Sequence, residues 1–372
     1  VVTVLAMRTL FAALGVAAVL AAPAAAAPPR PQTLFESPAH QSISAFAQDG
    51  RLLAWLAPSE NSCNRVYVLD LDDGLKIGLP STTIQNVTCR WDIVSPVRLA
   101  VAGKNVLWTL REAAPPAPLP FDYVLGSGIR DTAERRFQEI AHSSRGAGLW
   151  LGGIAGSDST LVYAVTSVNY EHEVACLADP SARGACAMRI VGGGVFRVVG
   201  RHPPQRVPLT GAAIEVSASG GAVAYVSAAK VGAAGAPVAA AGLPVEVRDT
   251  TSGKLLAHVR PQGAPVAIAL APHLLATLER TPLGLRVAWY DLATGAPIGS
   301  VPVPAGTSPE LSASDRLIVF RVGRSIRAVD PGSNDVNTLT KAASIPIGLS
   351  IVGGRVAWAE NVAGRGRIRS VT

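Results

Sequence analysis

The sequence predicts an all-β fold: a seven-bladed β-propeller of four-stranded antiparallel blades, its ring closed by an N-terminal strand pairing with the last blade. Three observations predict it. An apolar run, an Asp, a nearby Gly and a second apolar run recur as VYVLDLDDGLKIGL (66–79), VEVRDTTSGKLLAHV (245–259) and RVAWYDLATGAPIGSV (286–301). A second phrase, a tight turn followed by a strand with a large residue near its centre, recurs along the whole chain. The last copy is one strand short, and PQTLFES (31–37) stands unassigned before the first.

The second phrase centres on Trp55, Trp108, Tyr163, Tyr225, Thr277, Phe320 and Trp358. Each lies five or six positions after a turn residue: Asp49, Gly103, Asp158, Gly220, Pro272, Asp315 or Gly353. Periods of roughly 40–60 residues built from short strands and turns indicate a radial β array. Each unit reads as strands a to d. Strand a ends at the tight turn, strand b carries the central residue, strand c ends near the Asp, and strand d follows the Gly. Gly and Asp suit the turns because they tolerate positive φ. The strand-b aromatic is expected between neighbouring blades, as core and not as a ligand box. After IVGGRVAWAEN only enough chain remains for strand c, so 31–37 is expected to supply the missing strand and remove two open edges.

The ends and the composition bound the rest. MRTLFAALGVAAVLAAPAAAA, starting at Met7, has one cation, an apolar run and a small-residue cleavage zone. It reads as a signal peptide over 1–26, cleaved after Ala26, with 27–372 as one propeller domain. The apolar run is shorter than the roughly 18–20 residues of a membrane span, and no later run is long enough. The expectation is an exported protein, extracellular or in the cell envelope, and a monomer. The net charge is +7, but its Lys and Arg are scattered without interleaved aromatics. That is a solvated basic surface with no specific nucleic-acid signal.

FAQDGRLLAWLAPSENSCNRVYVLDLDDG (46–74) resembles the repeat of TolB-type propellers: an Asp–Gly turn, an apolar strand, a variable loop and a strand ending near Asp. The likeness is good in the first blade, fair in the last four and weak over 109–210. It departs from the true WD repeat, because no Trp–Asp dipeptide closes strand c. The resemblance implies a periplasmic or extracellular propeller that binds proteins or envelope components. It transfers no catalytic residue.

The b–c connections are uneven. Blades 1 to 4 carry APSENSCN, REAAPPAPLP, SVNYEHEVACLADPSARGACAMRIVGGG and SAAKVGAAGAPVAAAGLP, whereas blades 6 and 7 have almost nothing. One face is therefore elaborated, and long loops on a rigid scaffold are where function tends to reside. Cys63, in the blade 1 connection, and Cys89, after strand d of blade 1, can meet on that face. Cys176 and Cys186 flank a turn inside the blade 3 insert. In an exported chain these read as two disulfides, Cys63–Cys89 and Cys176–Cys186. A loop of this size closed by a disulfide gains roughly 3 kcal/mol.

Signals for chemistry are sparse. No two His fall at metal-ligand spacing, so no metal and no cofactor is expected. The compact cluster Tyr170, Glu171, His172 and Glu173 lies on the blade 3 insert and is the candidate binding site. IVGGG (190–194) precedes no helix and is a poor phosphate cradle. IRDTAERRFQEI (129–140) alternates charge and is expected to form a short helical turn. Asn86–Thr88 is a glycosylation sequon. The function expected is a non-catalytic module that binds a protein, glycan or envelope component through the elaborated face. The alternative is a lyase or hydrolase with its site at the central mouth of that face.

Overall fold

The computed structural model describes residues 30–59, 63–91, 94–95, 98–112, 121–141, 148–170, 188–232 and 236–372. Seven four-stranded antiparallel blades form a ring. Blade 1 runs Ala45–Asp49, Leu52–Pro58, Asn64–Asp70 and Lys76–Gly78 as strands 1a to 1d. Blade 2 is Leu99–Ala102, Asn105–Glu112, Phe121–Gly128 and Arg135–Ala141. Blade 3 is Gly148–Ser157, Thr160–Tyr170, Met188–Val198 and Gln205–Arg206. Blade 4 is Ala213–Ser219, Ala222–Ser227, Val245–Asp249 and Leu255–Val259. Blade 5 is Ala264–Leu270, Leu274–Thr281, Gly284–Asp291 and Pro297–Val303. Blade 6 is Thr307–Ala313, Ile318–Val322, Ser325–Val329 and Val336–Lys341. Blade 7 is Ile347–Val352, Arg355–Val362 and Arg365–Val371, completed by Gln32–Glu36 as strand 7d.

The closing strand is the one expected. Gln32 pairs with Ser370 and Glu36 with Arg367, so the first described strand lies antiparallel to the last. Glu36 adds salt bridges to Arg365 (3.5 Å) and Arg367 (3.1 Å). The Arg369 guanidinium donates to the Pro31 carbonyl at 2.9 Å. The chain then crosses from blade 7 to blade 1, and the Asn361 amide holds it there. Its oxygen accepts from Ile43 N and its nitrogen donates to Ile43 O, both at 2.8 Å.

The repeat's central residues take the role expected of them. Trp55, Trp108, Tyr163, Tyr225, Phe320 and Trp358 all lie on strand b and are buried. Each belongs to an apolar cluster shared with the preceding blade: Trp108 packs with Leu52, Val66 and Val68 of blade 1, and Trp358 with Val319, Ile326 and Ala328 of blade 6. Burying such rings supplies the inter-blade adhesion that no single blade has alone. Blade 5 solves the problem differently. Thr277 is also fully buried, but it is too small to fill the gap, and Tyr290 of strand 5c packs into the cluster between blades 4 and 5 instead.

Two local elements depart from expectation. Residues 129–140 form no helical turn: they are the 2c–2d turn and strand 2d. Asp131 closes that turn by accepting the Gly128 N–H at 2.6 Å, and Phe137 packs into the cluster between blades 2 and 3. The connection after strand 1d contains the helix α1, Thr82–Trp91. Ser81 precedes it: its carbonyl accepts Gln85 N at 3.0 Å, its hydroxyl ties the helix start to strand 1c by accepting Val66 N at 3.2 Å, and Ile84 is buried against blade 1. Glu134 of blade 2 accepts the Thr83 N–H and hydroxyl, which places a carboxylate at the helix N-terminus. The sequon and Cys89 fall on this helix.

Candidate functional site

Strand direction sorts the connections onto two faces. The a–b and c–d turns share one, and the b–c and d–a connections share the other. The turn face is closed tightly. Gly50, Gly103, Gly220 and Gly353 adopt positive φ in the a–b turns, and Asp158 does the same at +55°. The loop face is where the strand ends lead into residues 60–62, 113–120, 142–147, 171–187 and 233–235, all outside the described residues.

Blade 3 dominates the loop face. Its strands 3b and 3c have 11 residues each, against 5 and 5 in blade 6. The pair therefore projects beyond its neighbours and ends with Tyr170 opposite Met188. A two-rung hairpin in the blade 4 connection, Lys230–Val231 with Pro237–Val238, packs against strand 3c. Two glycines of IVGGG let other segments approach strand 3c closely. A Cβ on Gly194 would lie 2.7 Å from Arg206 Nε, and one on Gly193 would lie 2.9 Å from the Ala212 backbone. Arg206 crosses the space they leave and donates to the carbonyls of Gly193 (2.7 Å) and Thr210 (2.6 Å). Of the candidate binding residues, Tyr170 ends strand 3b, and Glu171, His172 and Glu173 lie outside the described residues. So do Cys176, Cys186 and the side chain of Cys89. Cys63 is buried at the entrance to strand 1c.

The seven a strands line an axial channel of about 540 Å³. Its wall is mostly Ala, Val, Ser, Leu, Ile and Gly, with four carboxylates and no Lys, Arg or His. The carboxylates sit at opposite ends and are already engaged. On the turn face, Asp49 accepts Gly103 N at 2.9 Å and Asp158 N at 3.2 Å, tying blade 1 to blades 2 and 3. Asp158 in turn accepts Gly220 N of blade 4 at 3.1 Å. Burial pushes the Asp49 carboxyl up and the Asp158 charge adds to that, while the two N–H donors oppose it. Towards the loop face, Glu215 meets Arg98 at 3.4 Å and Glu310 meets Arg321 at 2.6 Å. The Glu215 side chain keeps 30% of its accessibility, but the channel wall shields it from bulk water. Burial pushes its carboxyl up, against the pull of Arg98.

No three His, Cys, Asp or Glu among the described residues come together as a metal site. No helix among them is long and apolar enough to cross a membrane.

One polar device escaped the sequence reading. Glu279 on strand 5b is fully buried and takes hydrogen bonds from five donors. Thr277 Oγ1 (2.7 Å) and Tyr290 Oη (2.6 Å) bind one oxygen; Gly263 N (2.9 Å), Arg286 Nε (3.1 Å) and Arg286 Nη2 (2.7 Å) bind the other. Glu360, in the same place on strand 7b, is also buried. It accepts Ala343 N at 2.7 Å and pairs with Arg369 at 3.7 Å. Each Glu fastens strand b to the connection arriving from the previous blade. The signal was present: in both blades a Glu stands two residues after the repeat's central position, in ATLER and AWAEN.

No family model matches the chain, and no curated protein matches it. Solved structures do. The β-propeller domain of the Trilobed protease from Pyrococcus furiosus superposes with a TM-score of 0.50 at 9% identity, covering 89% of this chain and 95% of that one. The acylaminoacyl peptidase of Pyrococcus horikoshii gives 0.51 at 9% identity over 87% of this chain, which spans only 49% of that enzyme. BamB from Moraxella catarrhalis gives 0.43 at 10% identity, over 88% of this chain and 85% of that one. What the first two share with the chain is the fold.

Proposed function

We propose that the protein is an exported, non-catalytic propeller that holds a protein, glycan or cell-envelope partner on the loop face of blades 1–4. One observation carries this reading. Every long connection leaves from strand ends on that face, and the blade 3 hairpin projects there, whereas the other face closes in tight turns. The binding residues would be Tyr170, which ends strand 3b, and Glu171, His172 and Glu173, which follow it in sequence. The leader over 1–26, cleavage after Ala26, a location outside the cytoplasm and a monomeric state belong to the same proposal. The TolB-type repeat supports it by resemblance.

The axial channel favours binding over catalysis. Catalysis needs ionisable groups that converge on one place. Here each carboxylate is spent on a backbone amide or an arginine, and two pairs sit at opposite ends. A lyase or hydrolase at the loop-face mouth is the second reading, favoured only by the upward shift of Glu215 beside Arg98.

The test is a pull-down from envelope extract with the wild type and with a variant in which 171–187 is replaced by a short turn. Tyr170 and Met188 are paired rungs, so the replacement leaves the blade intact. Selective loss of a partner is expected. Equal recovery of every partner removes the blade 3 insert as the binding element.

A further inference from the structure

The turn face carries a second concave feature beside the axial mouth. Blades 4 and 5 separate there to leave a cleft of about 270 Å³. Val247, Leu256, Leu270, Pro272 and Leu292 form its walls. Strand 4d is the outer edge of its blade, and Leu255 and Leu256 on it are 43% and 47% exposed. A concave apolar surface with the half-exposed Leu256 at its lip is the kind of patch that marks an interaction site. Tyr290 seals the joint deeper in, and the cleft opens outside it, between the a–b and c–d turns of the two blades.

The rim is acidic. Asp291 stands on it beside His273, and no Lys or Arg lines the cleft. The Asp291 carboxyl is held below the usual range by the Thr294 hydroxyl and N–H, so it stays ionised. The His273 ring is turned towards Asp315, its Nδ1 3.0 Å from Oδ2, and the His273 backbone N–H donates to the other oxygen, Oδ1, at 2.9 Å. Two carboxylates thus face one imidazole. Leu270 at the end of strand 5a and Ala271 and Pro272 in the turn after it also line the axial channel, so a ligand leaving the cleft inward meets the mouth that holds Asp49 and Asp158. The local sign is opposite to the net charge of +7.

We propose that this cleft is a docking site for a partner segment in which one large aliphatic or aromatic residue is flanked by Lys or Arg. The volume suits a single side chain and is small for a whole organic ligand. The apolar walls receive that side chain, and the carboxylates on either side receive the cations. The site is on the opposite face from the long connections of blades 1–4. It stands or falls independently of the loop-face reading.

Fluorescence anisotropy with three labelled pentapeptides tests it: a central leucine between lysines, a serine between lysines, and a leucine between glutamates. The protein variants are Leu256→Ser and Ala293→Trp. Both positions are solvent-accessible, so the fold tolerates them, and unchanged melting curves verify that. The leucine–lysine peptide is expected to bind at least tenfold more tightly than either other peptide. Both variants are expected to weaken it at least tenfold. Equal binding of all three peptides, no binding of the leucine–lysine peptide, or full binding by the variants overturns the proposal.

Discussion

Phe35 packs against Trp55 with ring centroids 4.5 Å apart and planes tilted by 37°, so the strand that completes blade 7 is also packed onto blade 1. Lys76 lies over the Phe35 ring at 5.6 Å and over Tyr67 at 5.4 Å. The seam of the ring is therefore held by side chains as well as by backbone rungs. Phe35→Ala is expected to lower unfolding free energy by about 2 kcal/mol. Thr33→Ala, at an exposed rung, is expected to cost under about 0.5 kcal/mol. Urea denaturation measures both. Deleting 28–38 removes the whole seam and is expected to lower the melting temperature markedly. A truncated protein that melts with its parent would mean that the seam does not hold the ring.

Glu279→Ala leaves Arg286 with Gln262 but no carboxylate, and leaves the Gly263 N–H and the Thr277 and Tyr290 hydroxyls without that acceptor in a buried place. A loss of about 3–5 kcal/mol is expected. Glu279→Gln keeps the shape and some of the hydrogen bonds, and about half that loss is expected. If urea denaturation gives the two variants equal stability, the carboxylate is not the element that matters.

Acid should act through Asp131. Burial works against its charge, but Gly128 N, Arg135 and Arg201 outweigh it and hold the carboxyl at about 2. A carboxyl depressed in the folded state stabilises above its ordinary value and loses that contribution as pH falls through its folded one. The window is therefore about pH 4 down to about pH 2. Arg201 is largely exposed, so screening reduces the effect to about 1 kcal/mol. Asp131→Asn is expected to be less stable than wild type by that amount at pH 7 and equal to it near pH 2. A gap that does not change with pH would refute the assignment.

Peptide mapping without reduction is expected to show Cys63–Cys89 and Cys176–Cys186. The helix bearing Cys89 packs on strand 1c, which begins immediately after Cys63. A Cys63–Cys176 link, or free thiols in exported protein, refutes the pairing.

The fold was legible because a propeller writes its architecture as a period. Trp55 and its six counterparts lie on strand b in the structure, and the missing fourth strand of blade 7 could be found by counting. What the sequence hid has a physical reason in each case. The alternation of charge in 129–140 suits a helix and an exposed edge strand equally, and only Asp131 on Gly128 N decides between them. Glu279 reads as a surface residue until the donors of another strand and another blade close over it. The cleft between blades 4 and 5 is lined by residues of two blades, Leu256 on one side and Pro272 and Leu292 on the other, which no single repeat brings together. The candidate site at Tyr170–Glu173 was readable only as an insertion on one face, because its composition carries no chemistry of its own.

The arginine–carbonyl contact between Arg369 and Pro31 spans 338 positions of sequence. During synthesis the first strand of the seam is made long before its partner, and the ring stays open until the final blade arrives. Contacts of such separation form late and slowly. For that interval Gln32–Glu36 is an unpaired strand and the apolar face of blade 1 that carries Leu53 and Trp55 is uncovered, both able to engage a neighbouring chain. Completion of the whole chain, more than the stability of any single blade, governs when this protein is safe from aggregation. Release of a nascent chain truncated before Arg365 is expected to yield aggregates, even though six of its seven blades have every strand they need.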